Sequence, residues 1–216
     1  MSLPKEESVA YEIIRSNGTL NKFPPNTEIF RQEESMPGVF LLDEGKVKMT
    51  RREYGSNPII VEIDEPVRIL GAISVLGQTP SVTTATTLTP CKIYSIPTRL
   101  FLTLTEQQAD LTRSLLKLIS QYASEQVVCR AQLGTTSSRN RLASLLLNYV
   151  SSGIRSKNGS IRINMPLKRV DIAGLLAVRP EQVSRLLAEL KNKRVIELEN
   201  GWIIVTDVEA LIEETK

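Results

Sequence analysis

The chain has 216 residues, 41% of them apolar and 24% charged, with a net charge of +3 and no histidine. This is the composition of a globular protein of one large domain or two modest ones, and no apolar run approaches the roughly 20 residues of a membrane span. Without histidine, and with Cys91 and Cys129 as the only cysteines, the usual serine, cysteine and zinc active sites, histidine-ligated haem and a four-cysteine iron–sulfur cluster are all excluded.

The positive charge is concentrated. From Arg130 to Arg194 there are 13 Lys/Arg against 3 Asp/Glu, whereas the remainder carries 14 against 21. Such asymmetry points to a nucleic-acid-facing half joined to an acidic half. The polar, acidic start, MSLPKEES, has the character of neither a secretory signal nor a transit peptide, so a cytoplasmic location is expected.

Val9, Ile13 and Ile14 indicate a short first helix ending at Asn17-Gly18. From Asn21 to about Pro97 the texture changes to short strands separated by turn residues: Thr27 to Phe30, Gly38 to Asp43, Lys46 to Thr50, Ile59 to Ile63, Val82 to Leu88 and Lys92 to Ile96. Asp43-Glu44-Gly45 and the stretch from Tyr54 to Pro58 are the turns. Seven or eight strands at this spacing form a small antiparallel barrel or double-sheet roll. The two cysteines are expected to be small buried apolar residues.

Pro97 closes the strand region, and a helical pattern runs from Thr98 to about Leu133. Leu111, Leu115, Leu118, Tyr122, Glu125 and Cys129 alternate at spacings of four and three, a heptad-like seam. Leu116, Ile119, Ala123 and Val127 widen the apolar surface beyond one stripe, so two sides need cover. One side can cover the roll and the other can pair with a second copy. Leu111, Leu115, Leu118, Tyr122 and Cys129 are assigned to this dimer helix, against the alternative of one core-facing helix without a dimer. Gly134 to Ser138, small and hydroxylated, is the expected linker, which sets domains at 1–134 and 135–216.

The next helix spans about Arg139 to Tyr149, with Leu142, Leu145, Leu146 and Tyr149 inward and Arg139 and Arg141 outward. Ser151 to Ser160 reads as a polar loop and Ile161 to Met165 as a short strand. Arg169 to Lys191 then holds two short apolar-periodic runs broken at Ala177-Val178-Arg179-Pro180. The first buries Val170, Ile172, Ala173, Leu175 and Leu176. In the second, Val183, Leu186, Leu187 and Leu190 recur at helical spacing, and Pro180 suits a first helical position. These are the proportions of a helix-turn-helix. Val195 to Leu198 and Trp202 to Val205, joined by Asn200-Gly201, form a hairpin wing, and a final helix covers Val208 to Glu214. The fold class is α+β: an N-terminal antiparallel β-roll of jelly-roll type with a long dimerisation helix, then a winged helix-turn-helix.

This order of parts resembles the Crp/Fnr family of bacterial transcription regulators over nearly the whole chain. Val39-Phe-Leu-Leu-Asp-Glu-Gly-Lys-Val47 is similar to the family's strand–Gly–strand signature, Ile69-Leu70-Gly71 to the start of its phosphate-binding cassette, and Leu88 to Ile93 to the following strand. Glu181, Ser184 and Arg185 match the Glu-x-x-Ser-Arg pattern of the Fnr-like branch. The resemblance implies a homodimer on double-stranded DNA, reading a palindrome of TTGA-like half-sites, with RNA polymerase as a further partner. Arg185 would donate two parallel bonds to a guanine, Glu181 would accept from a cytosine amino group, and Ser184 would touch a base or a thymine methyl. Arg179 is a fourth base-contact candidate. Lys168, Arg169, Arg139 and Arg141 are candidates for phosphate contact.

Departures from the family pattern bear on the effector. Cyclic-AMP-binding relatives carry Gly-Glu in the cassette and Arg-Ser or Arg-Thr before the next strand. Here Gly71 is followed by Ala72, and Ser81 and Val82 stand where Arg-Ser would be. Ile69 to Cys91 contains no charged residue, and a buried phosphate without a cation is costly. Cyclic nucleotides are therefore not expected to bind in the family's manner, no cofactor or metal is expected, and the effector is left open. The neutral cassette is similar to the nitrogen-regulator branch that senses 2-oxoglutarate, although Tyr122 stands where that branch relies on an arginine. Ala177 replaces the usual turn glycine, and Arg179-Pro180 a Ser/Thr cap. The competing reading is a ligand- or partner-binding module whose helix-turn-helix serves protein contacts; an enzyme is disfavoured because no acid, base and nucleophile cluster appears.

Overall fold

A computed structural model describes residues 9–54, 58–151, 153–156, 159–163, 167–199 and 202–215, without the side chains at 132 and 133. The chain divides into two compact units, Met1–Val127 and Val128–Lys216.

The first unit opens with α1 (Val9–Asn17), followed by β1 (Thr19–Phe23), β2 (Glu28–Phe30), β3 (Gly38–Glu44), β4 (Val47–Arg51), β5 (Ile59–Asp64), β6 (Arg68–Leu70), α2 (Ala72–Leu76), β7 (Thr84–Thr87) and β8 (Cys91–Pro97). Two antiparallel four-stranded sheets form, in the orders β1-β8-β3-β6 and β2-β7-β4-β5. Val39, Leu41 and Ile93 from the first sheet share one core with Phe30, Val47 and Ala85 from the second. Phe30 and Phe40 stack with ring centroids 5.7 Å apart. Gly38 to Leu42 are all buried, which is why this run reads as continuous apolar sequence rather than alternation. Gly45 turns the chain into β4 with φ +97°, and a Cβ there would collide with the Pro90 carbonyl oxygen and Cys91 Sγ.

The expected strands all form, within a residue or two. Two were missed. β1 (TLNKF) is largely exposed, an edge strand whose polar residues hide it from an apolar pattern, and β6 is only three residues long. The turn expected at Tyr54 to Pro58 falls partly outside the described residues. Cys91 is buried as expected, whereas Cys129 is exposed.

The long helical pattern is two helices, α3 (Thr98–Gln107) and α4 (Ala109–Thr135). Gln108 adopts extended angles between them, φ −121° and ψ 95°. The heptad-like seam does not serve as expected at its start: Leu111 and Leu115 are buried in the roll core beside Phe101 and Leu104, and Leu118 packs against them. The exposed apolar residues of α4 are instead Leu116, Val127 and Val128, at 61%, 68% and 56%. The apolar surface was correctly seen as two-sided, but spacing alone does not say which side the roll takes. Gly134 and Thr135, expected in a linker, continue the helix, with the Thr135 hydroxyl donating to the Ala131 carbonyl at 2.9 Å; only Thr136 and Ser137 separate α4 from the next helix.

The second unit contains α5 (Ser138–Val150), β9 (Ile154–Arg155), β10 (Ile161–Ile163), α6 (Arg169–Leu175), α7 (Pro180–Asn192), β11 (Ile196–Glu199), β12 (Trp202–Val205) and α8 (Val208–Glu213). Its sheet runs β11-β12-β10-β9, so β9 forms inside what was expected to be a polar loop. Met165 and the Asn200-Gly201 turn lie outside the described residues, but the hairpin pairing of Ile196 with Val205 and Glu199 with Trp202 is present. Leu142, Leu146, Ile161, Ile172, Val183, Leu187, Leu190 and Leu211 build a separate core. Leu145 is only partly buried against that core. Val170, expected inward on α6, is 56% exposed, and Leu175 is half-buried.

Truncating a fully buried leucine leaves a cavity, whereas truncating an exposed one removes little. Leu111→Ala should cost about 2–5 kcal/mol in denaturant unfolding, and Leu116→Ala should change monomer stability by less than about 0.5 kcal/mol. The reverse order would place the core-facing stripe on the wrong side of α4.

Candidate functional site

α6 is started by its own sequence: the Lys168 backbone N–H donates to the Asp171 carboxylate at 2.8 Å, one half of a capping box. It ends in a left-handed residue. Ala177 has φ +50°, its N–H donates to the Gly174 carbonyl at 3.0 Å, and the Val178 N–H reaches the Ala173 carbonyl at 3.0 Å. Those two bonds are the Schellman pattern, with alanine at the position that normally favours glycine. Arg179 is extended (φ −80°, ψ 150°) and Pro180 opens α7 at its first position, where a missing N–H costs nothing.

Val183, Leu186, Leu187 and Leu190 bury one side of α7. The opposite side carries Glu181 and Arg185, both exposed and one turn apart, with Ser184 half-buried beside them. The two helices meet polar-to-polar near this face. Arg169 Nη1 donates to Ser184 Oγ at 2.7 Å, and Ser184 Oγ donates to the Pro180 carbonyl at 3.3 Å. Gln182 Nε2 donates to Ser138 Oγ at 3.0 Å, tying α7 to the start of α5. Among the described residues, Lys168, Arg179 and Arg185 have no acidic partner within 4 Å. Their charges are presented to solvent.

The other two phosphate-contact candidates are placed differently. Arg141, expected outward, turns inward: Nη2 donates to the Leu176 carbonyl at 2.8 Å, and Nη1 to the Thr136 carbonyl. It ties the start of α5 to the end of α6. Arg139 lies between two carboxylates, with Nε 3.7 Å from Glu189 and Nη1 3.5 Å from Glu214, which also pairs with Lys193. A periodicity reading cannot see such partners, because they come from α7 and from the chain's last residues. Beside the wing, the guanidinium of Arg162 on β10 sits 4.6 Å from the Trp202 ring centroid, a cation–π contact not expected from sequence.

In the roll, Gly71 (φ +80°) precedes α2, where a Cβ would strike the Met36 methyl group. Ala72 is buried. Ser81 is buried too, and its polar atoms are engaged locally: N–H to the Glu34 carbonyl at 3.0 Å, carbonyl to the Glu33 N–H at 2.7 Å, and hydroxyl to the Thr83 carbonyl at 2.7 Å. Val82 is 59% exposed. The cation just before this neutral stretch is Arg68, and it is occupied. Its Nη2 lies 2.9 Å from Glu62, Nε 3.0 Å from Asp64 and Nη1 3.8 Å from Glu125, and its guanidinium covers Tyr122 at 4.9 Å. Tyr122, expected in the dimer seam, donates its hydroxyl to Glu62 at 2.9 Å. Burial disfavours the Arg68 charge, but Asp64, Glu62 and Glu125 outweigh this and raise its pKa. The sequence reading missed the cluster; the one local trace of it is the alternation Glu62, Asp64 on one strand, with Arg68 four residues on.

The chain matches a cyclic nucleotide-binding domain over residues 20–108 and a Crp-like helix-turn-helix domain over residues 140–214. It is 23% identical to the CRP-like cAMP-activated global transcriptional regulator of Mycobacterium tuberculosis, over 90% of this chain and 87% of that one. It is 25% identical to the global nitrogen regulator of Synechococcus elongatus, over 90% and 89%. Its fold is similar to that of the c-di-GMP-responsive global regulator CLP of Xanthomonas campestris, with a TM-score of 0.76 at 14% identity, covering 92% of this chain and 98% of the other. Among the described residues, no helix is long and apolar enough to cross a membrane.

The Schellman turn yields a direct measurement. A left-handed alanine is strained by about 1–2 kcal/mol, part of which glycine returns as unfolded-state entropy. Ala177→Gly should therefore stabilise the second unit by about 1 kcal/mol in denaturant unfolding; a destabilised variant would mean that the turn is not held left-handed.

Proposed function

Because the chain belongs to the Crp/Fnr family of transcription regulators, we propose that it acts as a homodimeric, sequence-specific DNA-binding regulator reading a palindrome of TTGA-like half-sites. The observation that carries this reading is the outward face of α7, where Glu181 and Arg185 stand exposed beside Ser184, flanked by Lys168 and Arg179, which have no acidic partner among the described residues. An exposed guanidinium at the start of a recognition helix suits a guanine edge, and a carboxylate one turn earlier suits a cytosine amino group. Ser184 reaches a base once DNA competes with Arg169 for its hydroxyl. Arg169 and Lys168 supply phosphate contacts. Arg139 and Arg141 support the head from within, through Glu189, Glu214 and the Leu176 carbonyl.

Residues 1–134 form the sensing part in this reading and residues 135–216 the DNA-binding part. The second copy is held along α4 through Leu116, Val127 and Val128, so that the dimer carries two recognition helices for two half-sites about one DNA turn apart, roughly 34 Å. Cys129 lies on the same exposed stretch. RNA polymerase is the downstream partner proposed for a regulator of this family. We further infer that the roll does not hold cyclic AMP in the manner of cAMP-activated relatives. Ala72 offers no carboxylate, Ser81 is spent on backbone, and Arg68 is already surrounded by carboxylates.

Binding selection should recover a TTGA-type palindrome, and equal affinity for scrambled duplexes at physiological salt would exclude sequence-specific binding. Arg185→Ala should cost about 1–3 kcal/mol and relax preference at one base pair, whereas Lys168→Ala should weaken all sequences alike and lower the salt slope by about 1. Cyclic AMP at millimolar concentration should leave the thermal midpoint unmoved; a shift with binding located in the roll would overturn the reading of Ala72 and Ser81.

A further inference from the structure

Four groups from two elements of the first unit converge on the guanidinium of a third. β5 supplies Glu62 and Asp64, β6 supplies Arg68, and α4 supplies Tyr122 and Glu125. Three carboxylates share a single cation. Tyr11 of α1 lies close enough for Arg68 to lower its pKa, although burial raises it overall. Glu65, next along the chain, is taken by Lys46. The cluster therefore holds more negative than positive charge, and the carboxylate at its centre is the buried one: Asp64 is 6% exposed, against 27% for Glu62 and 59% for Glu125.

We propose that this cluster is a proton-operated latch between the roll and α4, closed when Asp64 is protonated and loosened when it ionises. Burial first, and then the adjacent Glu62 charge, push the Asp64 carboxyl up to about 7, against the pull of Arg68. With Asp64 neutral, Arg68 is shared between Glu62 and Glu125, and the latter ties α4 down. With Asp64 ionised, a third carboxylate competes for the same guanidinium, and the surplus charge is relieved only by admitting water between helix and sheet. Tyr122, whose hydroxyl bonds Glu62 while its ring lies under Arg68, is the second tie from α4. Because the folded state holds this proton more tightly than an open one does, the stabilisation is full below about pH 4 and is lost as pH rises toward 7. Beyond that it stays lost. The proposal does not depend on what the second unit binds.

Hydrogen exchange of the α4 amides at 119–127 in the full chain tests it. After correction for the intrinsic exchange rate, protection should fall about tenfold between pH 6 and pH 8, the factor for a carboxyl near 7 returning to its ordinary range on opening. In Asp64→Asn the pH dependence should vanish. Wild-type protection that ignores pH, or an Asp64→Asn variant that keeps the tenfold change, would overturn the proposal. Should Asp64→Asn not fold, carbon-13 titration of the wild-type Asp64 carboxyl decides the same point: a midpoint near 7 supports the latch and one near 4 removes it. Tyr122→Phe, close in shape, should lower protection of 119–127 about tenfold at both pH values. Unchanged protection there would mean that the cluster does not hold α4.

Discussion

Leu111 and Leu115 are the first committed residues of α4, and their burial in the roll core governs what the remainder of that helix can offer. A helix locked by two fully buried leucines cannot rotate, because doing so would expose both and leave their cavities behind. Tyr122 and Glu125 are thereby aimed at Arg68, and Leu116, Val127 and Val128 are turned to solvent. The exposed stripe and the charged cluster are two consequences of one packing decision. Gln108 breaks the rod between α3 and α4, and residues on both sides of the break, Phe101, Leu104, Leu111 and Leu115, enter the roll's core.

A parallel logic operates in the second unit. Burying Val183, Leu186, Leu187 and Leu190 leaves the other side of α7 no choice but to face outward, and that side is where Glu181 and Arg185 stand. Around it, the unit spends polar groups to hold the two helices in register. The Arg141 guanidinium bonds the last carbonyl of the α6 turn, Gln182 bonds Ser138, and Arg169 bonds Ser184. Such ties suit the role proposed for α7, since a helix that is to read base edges must be held to a fraction of an ångström. Ala177 keeps its left-handed turn despite the strain, because the Ala173–Val178 and Gly174–Ala177 bonds over-determine it.

Charge separates the two units in kind as well as in sign. Among the described residues, the second unit leaves Lys168, Arg179 and Arg185 at its surface without an acidic partner, which suits a partner that brings its own anions. The first unit gathers charge into a cluster around one cation: Arg68 is satisfied by Glu62, Asp64 and Glu125. A cassette without charged residues, beside an arginine already satisfied, is poor ground for a phosphate ligand.

Much of this was legible in the chain by itself. Periodicity of two and of 3.6 residues located most of the strands and helices, the proline at 180 marked the start of α7, and the grouping of Lys and Arg after residue 130 marked the basic half. Local chemistry writes those features: side-chain alternation, caps and turns depend on near neighbours in sequence. Tertiary structure alone decided which stripe of α4 meets the roll, that Arg139 and Arg141 turn toward Glu189, Glu214 and the Leu176 carbonyl, and that Arg68 gathers carboxylates from β5 and α4. Each includes contacts between residues far apart along the chain, 75 positions for Arg139 and Glu214. A one-dimensional pattern records that a helix has two apolar sides or that an arginine is charged. Which neighbour receives them is set only when the sheets and helices close on one another.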